Sequence, residues 1–141
     1  MTQDNKILAI IADPSPVIAA GLAQCLRRLQ GFTAGAIEVK TTDELSLRTR
    51  TTCPDFLLVN PSFGGLFNPI QWKREMKLPD VKILAIEIGK LNPETAGLFD
   101  GVISVMDDLE TISRKLQSLR EPLDNSRDTF RHGPHHLCDR K

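Results

Sequence analysis

The sequence predicts an α/β protein in which helices cover both faces of a doubly wound parallel sheet, giving three layers. Apolar runs of strand length alternate along the chain with stretches of helical spacing, five of each. This alternation is the pattern of a parallel sheet with crossover helices, and 141 residues suit one domain. Right-handed crossovers leave few topologies, and of these we expect the flavodoxin-like (βα)5 strand order 2-1-3-4-5.

Five segments have the composition of strands. The first and fourth are continuous apolar runs, typical of strands covered on both faces. In chain order the predicted strands are residues 6–12 (KILAIIA), 36–40 (AIEVK), 55–60 (DFLLVN), 81–88 (VKILAIEI) and 101–105 (GVISV).

The first three helices are indicated by their start and stop signals. The first carries apolar residues at helical spacing and ends before Gly31. Thr41 and Glu44 have the spacing of a capping box ahead of a weakly amphipathic second helix. Asn68 and Pro69 fit the N-cap and the first position of the third helix.

The last two helices are followed by a change in composition. Residues 92–99 (NPETAGLF) allow about two turns of helix, and Asp107 or Asp108 caps the last helix. Beyond it the sequence is polar, contains proline and has no periodicity. We therefore expect one domain over residues 1–120 and a polar linker or tail over residues 121–141.

Composition argues against several classes of function. Eighteen basic and eighteen acidic residues cancel, so the chain has no overall electrostatic footprint for nucleic acid or an anionic membrane. The longest apolar runs are too short to span a bilayer, and the N-terminus lacks a signal segment. Three irregularly spaced cysteines favour a reducing cytoplasm over a disulfide framework. We expect a cytoplasmic protein that binds neither nucleic acid nor membrane through these residues.

Polar residues at the carboxyl ends of the strands are the candidate site, because ligands bind there in doubly wound sheets. Asp13 follows the first strand, Asn60 ends the third, Glu87 lies near the end of the fourth and Val105 ends the fifth. The segment PDFLLVNPSFGG around Asn60 passes from a strand into a loop that contains two glycines.

Three segments resemble response-regulator receiver domains, particularly those of the LuxR/NarL type. ILAIIADPSPVIAAGL is similar to the receiver opening ILIADDHPLVREGL. PDFLLVNPSFGG is similar to PDLVLLDIRLPG, and FDGVISVMDDLETI to ADGYLLKDDSLEEL. The segments occur in the same order as in receivers, and the resemblance covers about residues 6–119.

The resemblance implies a degenerate phosphorylation site. A working receiver needs two acidic residues that help hold Mg²⁺, a phosphoacceptor aspartate, a Ser or Thr, and a lysine. At the matching positions the chain keeps the first acid as Asp13 but has Pro14 in place of the second. Asn60 occupies the acceptor position, Glu87 the hydroxyl position and Val105 the lysine position.

The changed residues lack the chemistry of phosphoryl transfer. A carboxylate is an anionic nucleophile, whereas the amide of Asn60 is neutral. Asp13 beside an amide would hold Mg²⁺ poorly, Val105 cannot neutralise a phosphoryl oxygen, and Glu87 would repel one. Deamidation of Asn60 normally uses the following backbone N–H, which Pro61 lacks. We expect no catalytic residue, metal or cofactor here. An Asp13/Glu87 metal pair is the less favoured alternative to a static network in which Glu87 accepts hydrogen bonds.

We therefore expect a phosphorylation-independent regulatory module that acts through a protein partner or as a homodimer. The resemblance suggests the N-terminal part of a two-component transcription regulator, with DNA binding in a helix-turn-helix domain beyond Lys141. The dimer would use the first and last helices or the fourth-helix face. Two rivals stay open: a phosphotransfer receiver with a displaced acceptor, Ser62 or Glu87, and Mg²⁺, or a ligand-gated sensor with a pocket lined by the four crevice residues.

Several other residues have two interpretations. The tail sequence HGPHHLC (residues 132–138) could bind a metal, although such clusters are more often incidental. Phe63, Leu66 and Phe67 form either an exposed contact patch or a lid folded over the crevice. Trp72 and Cys25 are expected to be packing residues.

Overall fold

The computed structural model describes residues 6–29, 31 and 33–120, in which strands and helices alternate. The elements are β1 (Lys6–Ala12), α1 (Pro16–Arg27), β2 (Thr33–Val39), α2 (Thr42–Thr52), β3 (Phe56–Val59), α3 (Pro69–Met76), β4 (Lys82–Glu87), α4 (Pro93–Ala96), β5 (Gly101–Ser104) and α5 (Leu109–Arg120). The strands form one parallel sheet in the order β2-β1-β3-β4-β5. The predicted fold class and strand order are confirmed.

The sheet separates two hydrophobic cores because successive strand residues point to opposite faces. On one face, Ile7 and Ile11 of β1 pack with residues of α1 and α5 such as Leu26 and Leu116. On the other face, Ile10 packs in a cluster that includes residues of α2 and α3. Both faces of the sheet are therefore covered, as expected of a doubly wound fold.

Polar N-caps start the helices at the carboxyl ends of the strands. The side chain of each cap accepts a hydrogen bond from the backbone N–H three residues later. The distances are 3.3 Å for Ser15, 3.1 Å for Thr41 and 3.0 Å for Asn68. Asp108, and not Asp107, caps α5 by accepting from the Thr111 N–H at 2.8 Å. The hydrogen bonds with Thr111 hold the pKa of Asp108 below its usual value of 3.8. The predicted caps Thr41, Asn68 and Asp108 are confirmed, and Ser15 is a cap that the sequence analysis did not name.

Several boundaries differ from the prediction, and β3 and β4 are each one residue shorter at both ends. Helix α4 has one turn instead of about two, because it is C-capped by Gly97, and the next two N–H groups bond three residues back. Strand β2 begins at Thr33 because it pairs along the whole length of β1. Strand β5 ends at Ser104, so Val105 lies just outside it.

The packing predictions are confirmed for Trp72, which is buried in the core under α3, and for Cys25, a free thiol that packs against the other core. No helix among the described residues is long and apolar enough to cross a membrane. The predicted tail and its histidines lie outside the described residues.

Replacing Gly21 with Ala should raise the free energy of unfolding by about 0.5–1 kcal/mol. Gly21 lies inside α1, and a β-carbon added there meets no atom within 4 Å. Chemical denaturation of the whole chain measures the gain. Gly64→Ala is the contrasting control: Gly64 has φ +68°, and its added β-carbon would lie 2.5 Å from Thr42 Cγ2, so a loss is expected. Equal effects of the two substitutions would contradict this reasoning.

Candidate functional site

The site is built where β1 and β3 end side by side. Ala12 pairs with Val59 in register, and the Asn60 N–H donates to the Ala12 carbonyl at 3.0 Å. This pairing places the next residues, Asp13 and Asn60, next to each other at the carboxyl edge of the sheet. The sequence correctly predicted that these two side chains meet.

The carboxylate of Asp13 is buried, with 1% of the residue exposed, and protein donors reach both of its oxygens. The Ser15 N–H donates to Oδ1 at 2.7 Å, and the Asn60 Nδ2 amide donates to Oδ2 at 3.1 Å. A buried carboxylate is tolerated only when such donors replace water. Asp13 is therefore held by Asn60 and by the start of α1. Neighbouring Pro14 is exposed and supplies neither an acid nor an N–H donor.

The side-chain amide of Asn60 is fixed at both ends. Its Oδ1 accepts from the Ser62 N–H at 2.9 Å and from the Ser62 hydroxyl at 2.8 Å, while Nδ2 faces Asp13. This network assigns the orientation of the amide, because only its nitrogen can donate to a carboxylate. The side chain of Asn60 thus presents a hydrogen-bond donor to Asp13. The Ser62 hydroxyl is engaged in the same network.

The loop between β3 and α3 folds inward through its aromatic residues. Phe63 is buried with 2% exposure, and its N–H donates to the Asn60 carbonyl at 2.8 Å. Phe67 contacts Trp72 and Phe99, with ring centroids 6.2 and 6.4 Å apart. Leu66 is 82% exposed. The two phenylalanines therefore pack against the core beside α3, and Leu66 is the exposed one of the three residues. That the loop covers the crevice as a lid stays a prediction.

Glu87 and Val105 are adjacent at the ends of β4 and β5, but neither bonds to the Asp13–Asn60 pair. Glu87 Oε2 accepts from the Leu91 N–H at 3.2 Å, and its backbone carbonyl accepts from the Val105 N–H at 3.0 Å. This is the loop N–H contact that we expected for a static network. Val105 is 37% exposed. Within residues 6–29, 31 and 33–120, no three His, Cys, Asp or Glu side chains are grouped to hold a metal ion.

A lysine that the sequence analysis missed lies on α5. Lys115 Nζ donates to Asp107 Oδ2 at 2.7 Å and to the Val102 carbonyl at 2.8 Å. It thereby ties α5 to β5 and to the loop between them. Asp107 lies two residues before α5 and eight before Lys115, which is the only sequence signal for this pair. These two hydrogen bonds of Lys115 are made at β5 and the loop after it, and neither is to Asp13 or Asn60.

A small open cavity lies between the β3–α3 and β4–α4 loops. Its volume is about 220 Å³, and Asn60, Ser62 and Glu87 contribute to its polar lining. Asp13 and Val105, which the ligand-gated alternative places in a pocket, are not among the lining residues. Pro61 and the apolar side chains of Ile86, Ile88 and Leu91 complete most of the lining.

Comparisons with known proteins identify the fold. No protein-family model matches the chain, and no curated protein matches its sequence. Solved structures of response regulators do match. A LuxR-family DNA-binding response regulator from Staphylococcus aureus has a TM-score of 0.66 at 13% identity, covering 82% of this chain and 99% of that chain.

Two further structures give the same result. A LuxR-family two-component response regulator from Aurantimonas sp. SI85-9A1 has a TM-score of 0.63 at 17% identity, covering 81% of this chain and 84% of that chain. The chemotaxis response regulator CheY4 of Vibrio cholerae has a TM-score of 0.62 at 14% identity, covering 81% and 98%. The chain therefore has the flavodoxin-like fold of response-regulator receiver domains.

Proposed function

We propose that this chain is a phosphorylation-independent, non-catalytic receiver-like module that works through protein–protein contact or dimerisation. The observation that carries the proposal is the hydrogen bond from the Asn60 amide to the buried Asp13 carboxylate. In this arrangement Asn60, at the phosphoacceptor position, donates a hydrogen bond to the Asp13 carboxylate. A metal ion would otherwise neutralise that carboxylate.

Phosphoryl transfer would need an anionic nucleophile that Asn60 does not offer, and Lys90 is the one cation among the described residues that line the cavity beside it. The nucleophile must be an anionic oxygen, and the developing charge must be balanced by a metal ion or a cationic side chain. Asn60 offers a neutral amide whose oxygen already accepts two hydrogen bonds from Ser62. Glu87 and Val105 supply no positive charge. A switch also needs a differential contact that favours one state, and here the usual contact cannot form.

The regulatory setting is part of the proposal. The structural likeness to LuxR-family regulators supports a place as the N-terminal module of a two-component-type transcription regulator. DNA binding would then belong to a domain outside these residues, and the protein would act in the cytoplasm. Dimerisation through α1 and α5, or through the face formed by α4, β5 and α5, stays open.

The two rival functions are less well supported. A displaced acceptor is less favoured at Ser62 because its Oγ already donates to Asn60, and at Glu87 because one of its oxygens already accepts from Leu91. Ligand gating is favoured by the cavity beside Asn60. Its volume of about 220 Å³, however, is below the roughly 300–1,000 Å³ of typical ligand pockets. The cavity is better matched to a single side chain than to a small-molecule ligand.

Incubation with acetyl phosphate and Mg²⁺, followed by intact mass spectrometry, tests the proposal. We expect the chain to keep its unmodified mass while a conventional receiver in the same buffer gains one phosphoryl group. A stoichiometric adduct would overturn the proposed function. Peptide mapping would then assign it: modification at Ser62 or Glu87 supports the displaced-acceptor rival.

A further inference from the structure

We propose that the carboxyl end of the sheet is a docking face for a partner protein that presents apolar side chains flanked by lysine or arginine. This inference rests on the proposed function and names the surface that it uses. Among the described residues, eight large apolar side chains are exposed. Six of them lie in a loop or first helical turn that follows a strand, and we call these six the docking face: Val17, Leu66, Ile70, Ile88, Val105 and Met106.

The loops that carry the docking face are linked in series across the sheet. The Asn60–Asp13 hydrogen bond joins the loops after β3 and β1. The cavity of about 220 Å³ is shared by the loops after β3 and β4, and the Val105 N–H joins the loop after β5 to Glu87. Four adjacent strands span about 15 Å at their usual spacing. Such a width suits one helix or the centre of a protein interface.

Charge is balanced at the centre of this face, where Glu87 and Lys90 line the cavity, and negative at its margins. The loop 61–68 and the first turns of α1 and α3 contain no charged residue. The margins carry more acids than bases: the acids are Asp43, Glu44, Glu94, Asp107, Asp108 and Glu110, and Lys40 is the lysine outside the ion pairs. Lys115 pairs with Asp107 and Arg114 pairs with Glu110, which leaves a net negative margin.

An apolar centre with a charged rim is the usual anatomy of a protein interface, and a negative rim favours a basic partner. Two copies of this chain placed face to face would bring their acidic margins together. A head-to-tail contact between copies, which forms a ring or an open filament, would need a matching basic and apolar patch elsewhere on the chain. The occupant that fits is therefore a different protein surface. The cavity between Pro61 and Leu91 would receive one of its apolar side chains.

Binding of a synthetic peptide to the whole ¹⁵N-labelled chain tests the docking face. The probe is an amphipathic helix with leucines on one face and lysines beside them, and its matched control has glutamates in place of the lysines. We expect the lysine peptide to bind at least about tenfold more tightly, with an advantage that falls as salt is added. Amide shifts should be confined to residues 13–17, 61–70, 87–91 and 105–106.

Variants of exposed residues make the test specific. Leu66→Ser and Met106→Ser should each weaken binding about fivefold. Leu47→Ser, which changes a 60% exposed leucine on α2, should leave it unchanged. Absence of binding, equal binding of both peptides, or shifts confined to α1 and α5 would overturn the inference. Self-association of the free chain through the same residues would also overturn it. None of these results alters the outcome with acetyl phosphate. Failure of the proposed function would be detected by mass spectrometry, and failure of the docking face by peptide binding.

Discussion

Asn60→Asp should lower the free energy of unfolding by about 3 kcal/mol at neutral pH. The two side chains have nearly the same shape, so the packing is unchanged. The substitution removes the donor that reaches Asp13 Oδ2 at 3.1 Å and places a second carboxylate there. Asp13 is buried, so little water is available to screen the repulsion.

The pH dependence of this loss has a definite sign. In the folded variant one carboxyl group of the pair gains by taking up a proton, because it then donates to the other. The folded state therefore binds more protons than the unfolded chain, and stability rises as pH falls. Urea denaturation at pH 7 and pH 5 should show the difference from the natural chain shrinking at the lower pH.

Asn60→Ala is the matched control, because it removes the donor without adding charge. Asn60→Ala should lower the free energy of unfolding by about 1–2 kcal/mol. Unlike the loss in Asn60→Asp, this loss should not become smaller at the lower pH. If Asn60→Asp were as stable as the natural chain at pH 7, the Asn60 amide could not be a necessary donor to Asp13. The main support for the proposed function would then be lost.

Most of the fold could be predicted from the sequence because its signals are local. Apolar runs, caps such as Thr41 and Asn68, and the alternation of elements each follow from a few neighbouring residues. The meeting of Asp13 and Asn60 was also predictable, since carboxyl ends of parallel strands share one edge. The short α4 was not predictable, because the sequence of residues 92–99 is compatible with two turns of helix. In the structure Gly97 caps the helix after its first turn.

The details of the site depend on tertiary contacts that no local pattern specifies. Phe63 and Leu66 are three residues apart in one loop and have similar hydrophobicity, yet one is buried and the other exposed. The path of the loop over the core decides between them. Lys115 likewise meets Asp107 and the Val102 carbonyl only because α5 packs against the edge strand β5.

The contrast between these two loop residues leads to the second large effect. Phe63→Ala should lower the free energy of unfolding by about 3–5 kcal/mol, because it removes a ring that is 2% exposed and leaves a cavity in the core under α3. Leu66→Ala, at 82% exposure, should change it by less than about 0.5 kcal/mol. Urea denaturation of the two variants measures both values.

Phe63 also connects the core to the site, because its N–H donates to the Asn60 carbonyl. Loss of the ring should therefore loosen the loop as well as the core, and amide exchange at Ser62 and Phe63 should accelerate more than the global loss explains. Leu66→Ala should leave this exchange unchanged. Equal destabilisation by both substitutions would mean that the loop does not pack as described. A stable Leu66→Ala chain beside a destabilised Phe63→Ala chain would show that Leu66 is a surface residue, whereas Phe63 holds the loop in place.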